Sequence, residues 1–212
     1  MFRYLASQTK TNICCHVDHG YTLDECYEGI DSGFTSVMFD GSKLTLKENI
    51  KISKKIASRA HKHNISVEGE IGFVGYDNGK ISEGTNIEDA VTFANKSYID
   101  AMAISVGNTH LQTSKKASID FNKINLIEAK TKIPLVLHGS SGIPVEQRKK
   151  LARKTKVAKL NIGTEIRMTF GEALRKNLKN NPKTYDRLQL LKPTIKDITK
   201  VTKKIIKQIG PN

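Results

Sequence analysis

Short apolar stretches alternate along this chain with amphipathic segments of helical periodicity, and this alternation limits the possible folds more than any other feature. The six apolar stretches are residues 13–15, 34–39, 65–70, 101–106, 133–137 and 157–162. Such regular strand–helix alternation predicts a parallel sheet, and continuously apolar strands predict that both faces of the sheet are buried. We therefore expect an α/β protein with about six parallel strands.

Signals for helix starts fall between these stretches. Capping boxes, in which a Thr and a Glu three residues later satisfy free backbone N–H groups, are predicted at residues 22–25, 45–48 and 85–88. They open helices that should end near residues 32, 60 and 96. Apolar spacing predicts further helices around 122–130, 166–178 and 194–205, and Pro144 fits the first turn of another.

Length and composition favour a single globular domain over residues 1–212. No apolar run reaches the roughly 18 residues of a membrane span, and the N-terminus lacks the long apolar region of a secretory signal. We interpret Cys14, Cys15 and Cys26 as buried reduced thiols. Together these features predict a cytoplasmic protein without membrane contact.

The formal net charge of +14 has three possible explanations. Lys-rich helix faces exposed to solvent are the one that we favour, and an anionic substrate or nucleic acid are the others. The chain has no Trp, only 6% aromatic residues and no recognisable nucleic-acid-binding module. A nucleic-acid partner is therefore not expected.

Residues able to perform chemistry fall at or just after the ends of the expected strands. They are Asp18, His19, Asp40, Glu70, His110 and His138. This placement is typical of the catalytic face of a β/α barrel, whereas an open doubly wound sheet collects its ligands at one switch point. Six strands do not close such a barrel, so we infer a TIM barrel that lacks two βα units in this chain.

His19, His110 and His138 come from three different strand ends and are candidates for one catalytic zinc site. Three imidazoles that leave a position open for substrate are a common ligand set for catalytic zinc. Sequence spacing does not show that the three residues meet, and Asp18 and His19 could equally be ordinary turn residues. Both interpretations stand at this point.

Two glycine-containing segments are candidates for phosphate binding. Gly139, Ser140, Ser141 and Gly142 precede a predicted helix, so backbone N–H groups and hydroxyls can converge there on an anion. The residues Asn161, Ile162, Gly163 and Thr164 do the same after the last strand. The loops after the last two strands are a common phosphate site in TIM barrels. The polar segment 72–84 is a candidate lid.

Taken together, the motifs of this chain resemble those of the class II, zinc-dependent ketose-bisphosphate aldolases, most closely the fructose- and tagatose-bisphosphate branch. The matching motifs are HVDHG at 16–20, GFTSVMFDGS at 33–42, ENI at 48–50, VEGEIG at 67–72, LVLHGSSGIP at 135–144 and KLNIGTEIR at 159–167. The resemblance covers the whole chain in order. It implies a (β/α)8 barrel whose first two βα units are absent here.

The resemblance also implies roles for individual residues. His19, His110 and His138 correspond to the zinc ligands, and Asp18 corresponds to the catalytic acid/base. Asp40 and Glu70 match the acids of a second metal position, which would hold another divalent or a monovalent cation. The segments 139–141 and 161–164 match those that hold dihydroxyacetone phosphate.

The reaction implied by the resemblance is retro-aldol cleavage of a ketose 1,6-bisphosphate to dihydroxyacetone phosphate and glyceraldehyde 3-phosphate, as in glycolysis and related carbohydrate metabolism. Zinc would polarise the ketose carbonyl, and Asp18 would take the C4 hydroxyl proton. The family resemblance suggests a homodimer or homotetramer. The alternative is a catalytically inactive aldolase-like remnant, or a non-catalytic subunit that partners an active one.

The chain departs from the family pattern next to His110 and in the first phosphate segment. Leu111 stands where the family has Gly, and Lys115 comes one residue later than the family's phosphate-binding Lys. Ser140 replaces a customary Gly. We expect Lys115 to take over the phosphate contact, and we expect phosphate binding to be affected more than zinc binding.

Overall fold

The structure, a computed structural model, describes residues 2–76, 82 and 84–210. The predicted lid at 72–84 therefore lies in part outside the described residues. The strands are β1 His16–Gly20, β2 Ser36–Phe39, β3 Ser66–Ile71, β4 Ala101–Ile104, β5 Leu135–Leu137 and β6 Val157–Leu160. The helices are α1 Phe2–Ser7, α2 Leu23–Asp31, α3 Leu46–Ala60, α4 Ile87–Lys96, α5 Phe121–Lys130, α6 Val145–Lys154, α7 Thr164–Asn180, α8 Arg187–Leu191 and α9 Thr194–Ile209.

The strands form one parallel sheet in the order β1-β2-β3-β4-β5-β6, which is also their order in the sequence. Each helix between successive strands is thus a crossover connection between parallel neighbours. Val37 is paired with Val17 on one side and with Val67 on the other, and Met102 pairs with Leu135. The predicted α/β class with six parallel strands is confirmed.

The chain divides into two compact units, which are described separately below. The first unit comprises Met1–Phe73, Ser82–Val106 and Asp120–Val136, and the second comprises Val74–Ile81, Gly107–Ile119 and Leu137–Asn212. The expectation of one domain over residues 1–212 stays a prediction.

In the first unit, helices α2, α3 and α4 pack on the strands, and α5 packs on α4. Met38, Ala103 and Val136 come from three strands and form a fully buried cluster. On α3, Asn49, Ser53, Ile56 and Ala60 are buried and recur at helical spacing, so one stripe of the helix faces inward. Two of the stripe's four members are polar, which bears on the site described below.

The helix starts of the first unit confirm two of the three predicted capping boxes. The boxes at Thr22 and Thr45 are complete, with reciprocal hydrogen bonds to Glu25 and Glu48. The third is wrong, because Asn86 caps α4 by accepting a hydrogen bond from the Asp89 N–H. Thr85 is instead buried: its hydroxyl donates to the Ile71 carbonyl and accepts from the Ser105 N–H.

In the second unit, helix α9 packs on α6 and α7, and α6 also packs on β6. The Asn161 N–H donates to the Leu137 carbonyl over 2.9 Å, which joins the two strand ends. Helix α9 is amphipathic, and Thr194 and Ile205 are buried on its inner face. The prediction of a final helix from residue 194 is confirmed.

Several details differ from the sequence prediction. The first strand is His16–Gly20 and not the apolar stretch at 13–15, because Cys14 is exposed and the paired residues of β1 begin at His16. Of the three thiols, only Cys26 is buried. The short helices α1 and α8 were not predicted, since neither has a cap-and-periodicity pattern of useful length. Among the described residues, no helix is long and apolar enough to cross a membrane.

Candidate active site

A β-bulge in strand β1 determines how its carboxylate and imidazole are presented. Val17 pairs with Val37 and Gly20 pairs with Phe39, so β1 uses one residue more than β2 between these two pairs. His19 lies within this bulge and adopts the left-handed backbone conformation, with φ of +62°. Bulges and unfavourable φ values are concentrated at functional sites, where they redirect side chains. The predicted Asp18–His19 pair is therefore part of a distorted strand and not an ordinary turn.

In the first unit, the bulge brings His19 to two carboxylates from the neighbouring strands. The His19 Nδ1 atom lies 3.0 Å from Asp40 Oδ2 and 3.8 Å from Glu70 Oε2. Asp40 directly follows β2, and Glu70 is the penultimate residue of β3. One ligand atom from each residue lies within 4.8 Å of the others. One imidazole and two carboxylates form a donor set that suits zinc and other divalent cations, so these residues fit a metal ion.

The charges in this cluster alter the protonation of its members. Burial by itself would lower the pKa of His19, but the hydrogen bond to Asp40 and the charges of Glu70 and Asp18 outweigh it and raise that pKa above 6.5. Burial would raise the pKa of Asp40, but hydrogen bonds from His19 and Ser42 outweigh it and lower that pKa below 3.8. The carboxylates of this cluster therefore favour the protonated, positively charged form of the His19 imidazole.

Buried polar side chains hold the two carboxylates in place. The Ser42 hydroxyl and backbone N–H both donate to Asp40 Oδ1, over 2.6 and 3.2 Å. The Asn49 amide, which is 1% exposed, donates to the Glu70 carbonyl over 2.8 Å. Asp18 itself is exposed.

The second unit contains His110 and His138. Their ring centroids are 5.7 Å apart, in an edge-to-face arrangement, and the Tyr76 ring stacks on the His110 ring at 5.1 Å. His138 follows β5 directly and is 1% exposed, and its backbone carbonyl accepts a hydrogen bond from the buried Asn108 amide. His110 lies six residues beyond the end of β4, farther than predicted, where its N–H donates to the Gly75 carbonyl.

The two predicted phosphate segments also lie in the second unit and contact each other. The Ser140 N–H donates to the Asn161 carbonyl over 3.0 Å, and the Asn161 side-chain amide lies 3.2 Å from His138 Nδ1. Gly139 has φ of +62°, and a Cβ there would lie 2.2 Å from the Thr109 carbonyl oxygen. Only glycine fits this position, so the close turn after β5 depends on it.

Residues Ser140–Gly142 form a short 3-10 helix, and α7 begins at Thr164 with Gly163 as its cap residue. Ser140 is not among the described residues with positive φ, so its replacement of a family Gly does not strain the backbone. Leu111 is different, because it has φ of +57° and is 55% exposed. It keeps the backbone conformation of a glycine at a steric cost.

The structure thus brings together His19, Asp40 and Glu70 in one unit, with Asp18 next to His19 in sequence. In the other unit it brings together His110, His138 and Asn161, and it places the two phosphate segments in contact. Lys115 contacts Glu165, which was not predicted as a site residue. That His19, His110 and His138 bind one zinc ion stays a prediction.

Sequence reasoning missed several residues that contact or support the candidate site segments within each unit: Asn49 and Thr85 in the first, and Asn108, Arg148 and Glu165 in the second. The signal for Asn49 and Arg148 was available, since each is a polar residue on the apolar stripe of an amphipathic helix. Asn108 and Thr85 lie in loops without periodicity, so nothing in the sequence marked them as buried.

A parallel β/α fold with imidazoles and carboxylates at its strand ends and a Gly-Ser loop before a helix is typical of sugar-phosphate enzymes of the barrel class. The family model described as "Fructose-bisphosphate aldolase class-II" matches residues 1–212. The chain belongs to this family of aldolases.

Curated relatives agree with this assignment. The chain is 37% identical to the 6-phospho-5-dehydro-2-deoxy-D-gluconate aldolase of Shouchella clausii over 201 residues, which are 93% of this chain and 68% of that protein. It is 34% identical to the fructose-bisphosphate aldolase of Staphylococcus aureus over 202 residues, which are 93% of this chain and 70% of that protein. The chain thus spans about two thirds of the length of these relatives.

Solved structures show the same similarity. The YdjI aldolase from Escherichia coli K12 superposes with a TM-score of 0.81 at 27% identity, over 98% of this chain and 73% of that one. A protein described as a fructose-1,6-bisphosphate aldolase from Coccidioides immitis superposes with a TM-score of 0.81 at 22% identity, which supports the fold alone.

Proposed function

We propose that this protein catalyses zinc-dependent retro-aldol cleavage, and the reverse condensation, of a ketose 1,6-bisphosphate of the fructose or tagatose configuration. The products would be dihydroxyacetone phosphate and glyceraldehyde 3-phosphate. The observation that carries the proposal is the contact of His19 with Asp40 and Glu70 at the strand ends of a class II aldolase-family chain. Each of these residues stands within a motif that matches the family.

The metal ligands in this proposal are His19, His110 and His138, with Asp40 and Glu70 at a second cation position. This ligand set follows from the residue-by-residue resemblance. When bound, the zinc ion supplies Lewis-acid stabilisation of negative charge that develops at the substrate carbonyl. The Asp40 carboxylate lies 3.0 Å from Nδ1 of His19, and carboxylates hydrogen-bonded in this way orient ligating imidazoles and make them more basic.

Asp18 is the proton-transfer residue of the proposal. Its carboxylate is exposed and precedes the left-handed His19 in the β1 bulge. In cleavage it takes the proton of the C4 hydroxyl as the C3–C4 bond breaks, and in condensation it returns that proton. Its solvent exposure supports this role, since the carboxylate must reach a hydroxyl of the bound sugar.

The phosphate of the dihydroxyacetone half is held in this proposal by Gly139, Ser140, Ser141 and the segment 161–164, with Lys115 as the cation. The N-terminus of α7 supports this role, because free backbone N–H groups at a helix start attract anions. Anchoring the phosphate fixes the carbon chain of the substrate relative to the carboxylate of Asp18.

A second substrate is favoured by the names of several relatives. Relatives at 34–37% identity are called 6-phospho-5-dehydro-2-deoxy-D-gluconate aldolases. Such a substrate has its phosphate next to a ketone, as the bisphosphates do, but ends in a carboxylate and not in a second phosphate. The two candidates share the half that the 139–141 and 161–164 segments would hold, and they differ in the other half.

The experiment is to measure the zinc content of the purified chain and, in the same sample, to assay cleavage of fructose bisphosphate, tagatose bisphosphate and the deoxygluconate phosphate. We expect near-stoichiometric zinc and cleavage that a chelator abolishes and added zinc restores. Cleavage of the deoxygluconate phosphate alone would show that this compound, and not a ketose bisphosphate, is the substrate. Zinc binding with no cleavage of any substrate would indicate the inactive aldolase-like remnant or a non-catalytic subunit.

A further inference from the structure

A network of three charged residues connects the phosphate segments of the second unit. The carboxylate oxygen Oε2 of Glu165 lies 3.1 Å from Arg148 Nη1 and 3.1 Å from Lys115 Nζ. Arg148 lies on α6, Glu165 lies in the first turn of α7, and Lys115 lies in the loop after His110. One carboxylate thus connects three separate segments of the chain.

Arg148 is an unusual member of this network because its side chain is 0% exposed. Among the described residues, none of the guanidinium nitrogens Nε, Nη1 and Nη2 has a hydrogen-bond partner, and the 3.1 Å contact of Nη1 with Glu165 is its one ion pair. Burying a guanidinium with so few partners is costly, and an apolar side chain at this position would avoid that cost. The position therefore calls for an explanation other than stability.

The connections of Glu165 suggest that explanation. The backbone N–H of Glu165 donates to the Ser141 hydroxyl over 3.1 Å. Two residues separate the segment Ser140–Gly142 from helix α6, which carries Arg148, and helix α7, which carries Glu165, begins at Thr164. The Arg148–Glu165 pair therefore fastens the start of one phosphate segment's helix to the start of the other's.

We propose that Arg148 is a positioning residue for the phosphate subsite, acting through Glu165 on Ser141 and Lys115; this rests on the proposed function. The buried guanidinium holds the Glu165 carboxylate in one place, so Ser141 and Lys115 keep the positions that a phosphate group requires. It also keeps the network at a net charge of +1, where Lys115 and Glu165 alone would sum to zero. A phosphate dianion is attracted by the network with Arg148, which carries a net positive charge, and not by the neutral pair of Lys115 and Glu165.

The direct test is the binding of inorganic phosphate to the zinc-loaded full chain, measured by isothermal titration calorimetry, for wild type and the Arg148→Met variant. We expect phosphate binding about tenfold weaker in Arg148→Met. The matched control is Arg153→Met, which removes an exposed cation from the same helix and should change binding by less than about twofold. Equal binding by wild type and Arg148→Met, or no phosphate binding by wild type, would overturn the inference.

A second variant guards against misfolding, because removing Arg148 alone leaves Glu165 with only Lys115 as its cation. The double variant Arg148→Met, Glu165→Gln removes both charges of the buried pair and should fold more readily. Because Lys115 alone restores the network's net charge of +1, we expect the double variant to bind phosphate better than Arg148→Met but still more weakly than wild type, with unchanged zinc content. Phosphate binding at the wild-type level in a folded double variant would contradict the proposal.

Steady-state kinetics separate positioning from a merely structural role. In Arg148→Met we expect KM for the sugar phosphate to rise about tenfold while kcat falls much less, since the phosphate is remote from the bond that breaks. Arg148→Lys, which keeps the charge, should recover part of the loss. A fall in kcat with unchanged KM would show that Arg148 does not act on phosphate binding.

The proposed function and this inference fail in different ways. If wild type binds phosphate and Arg148→Met weakens it while neither protein cleaves a sugar phosphate, the positioning role stands and the aldolase activity does not. If wild type cleaves its substrate and Arg148→Met matches it in phosphate affinity and KM, the activity stands and the positioning role is overturned.

Discussion

Two residues at or beside the candidate metal ligands adopt backbone conformations that residues with a Cβ disfavour. His19 and Leu111 both have positive φ, a region that costs a residue with a Cβ on the order of 1–2 kcal/mol. At His19 the cost accompanies a bulge that redirects a candidate metal ligand. At Leu111 it accompanies an exposed apolar side chain beside another candidate ligand.

Replacing Asp18 by Asn should abolish most of the proton transfer without disturbing the metal site. An amide has nearly the same shape but cannot take the C4 hydroxyl proton, so we expect kcat to fall by about 100-fold or more. Zinc content and KM should change little. The measurement is steady-state cleavage with metal analysis of the same sample, and wild-type turnover by Asp18→Asn would remove Asp18 from the mechanism.

The His19–Asp40 pair should make the stability of the metal-free protein depend on pH. The raised pKa of His19 means that its contribution is present below pH 6.5 and is lost as the pH rises through that raised value. The lowered pKa of Asp40 means that its contribution is present above pH 3.8 and is lost as the pH falls through that lowered value. The pair should therefore stabilise the folded protein most between about pH 3.8 and pH 6.5.

Urea unfolding of chelator-treated wild type and Asp40→Asn at pH 5.5 and pH 9 would measure this contribution. At about pH 5.5 the variant should lose on the order of 1 kcal/mol relative to wild type, and the loss should shrink toward alkaline pH. Ser42→Ala is a useful comparison, because it removes a neutral hydrogen bond from Asp40. A loss that is the same at both pH values would show that the ion pair does not form.

Leu111→Gly should stabilise the protein, although most substitutions of Leu by Gly do the opposite. The change removes the positive-φ strain and sacrifices little buried surface, because Leu111 is 55% exposed. We expect a gain of up to about 1 kcal/mol in the free energy of unfolding, after the entropy of glycine in the unfolded chain is subtracted. Urea unfolding measures it.

The control for that change is Leu44→Gly, at a position that is 41% exposed and lies outside the positive-φ group. This variant should lose stability, because glycine adds unfolded-chain entropy without relieving strain. Parallel losses in the two variants would contradict the conformation described for Leu111.

At the scale of single elements, local sequence signals account for most of what is observed. The complete capping boxes of α2 and α3 place the helix starts immediately after the loops that carry Tyr21 and Asp40–Leu44. A well-defined start for α3 also sets the position of Asn49, which lies one residue past the box and holds the backbone of Glu70. Helix capping is thus connected to the geometry of the carboxylate cluster.

Thr45→Ala should cost about 1 kcal/mol in the free energy of unfolding, because it removes the hydroxyl that accepts from the Glu48 N–H and donates to the Glu48 carboxylate. Thr199→Ala, an exposed change in the middle of α9, is the matched control and should be neutral or slightly stabilising. Thermal or urea unfolding measures both. Equal effects would mean that the capping box contributes nothing.

At the scale of the whole molecule, each unit has its own charge character. The cluster in the first unit sets His19 among Asp18, Asp40 and Glu70, whereas the network in the second unit has two cations for one carboxylate. The former suits a metal cation and the latter suits a phosphate, which are the two groups that a metal-dependent aldolase must hold. A homodimer or homotetramer, and a cytoplasmic location, stay predictions.

Zinc should raise the free energy of unfolding, because the proposed ligands are ordered for metal binding only in the folded state. At free zinc about 100 times the Kd, the expected gain is about 2.7 kcal/mol. His110→Ala should reduce this gain, whereas His63→Ala, at an exposed histidine, should leave it unchanged. Thermal unfolding with and without zinc is the measurement, and an unchanged melting temperature would count against the three-histidine ligand set.

Much of the fold and many site residues were predictable because their causes are local in sequence. Apolar stretches located five of the six strands, and their alternation with helices indicated the parallel connection, while turn-forming and capping residues determined most helix boundaries. The strand-end positions of Asp40, Glu70 and His138 followed from the same pattern. The motifs also led to the aldolase family, which the comparisons confirm.

Other features depended on contacts between distant residues, and only the tertiary structure decided them. The bulge at His19 arises from the mismatch of β1 with β2, which no property of either strand alone reveals. Asn86 caps α4 because Thr85 is drawn into hydrogen bonds with β3 and with Ser105. Arg148 is buried because α7 brings Glu165 to it across 17 residues of sequence, and such pairings are set by packing and not by periodicity.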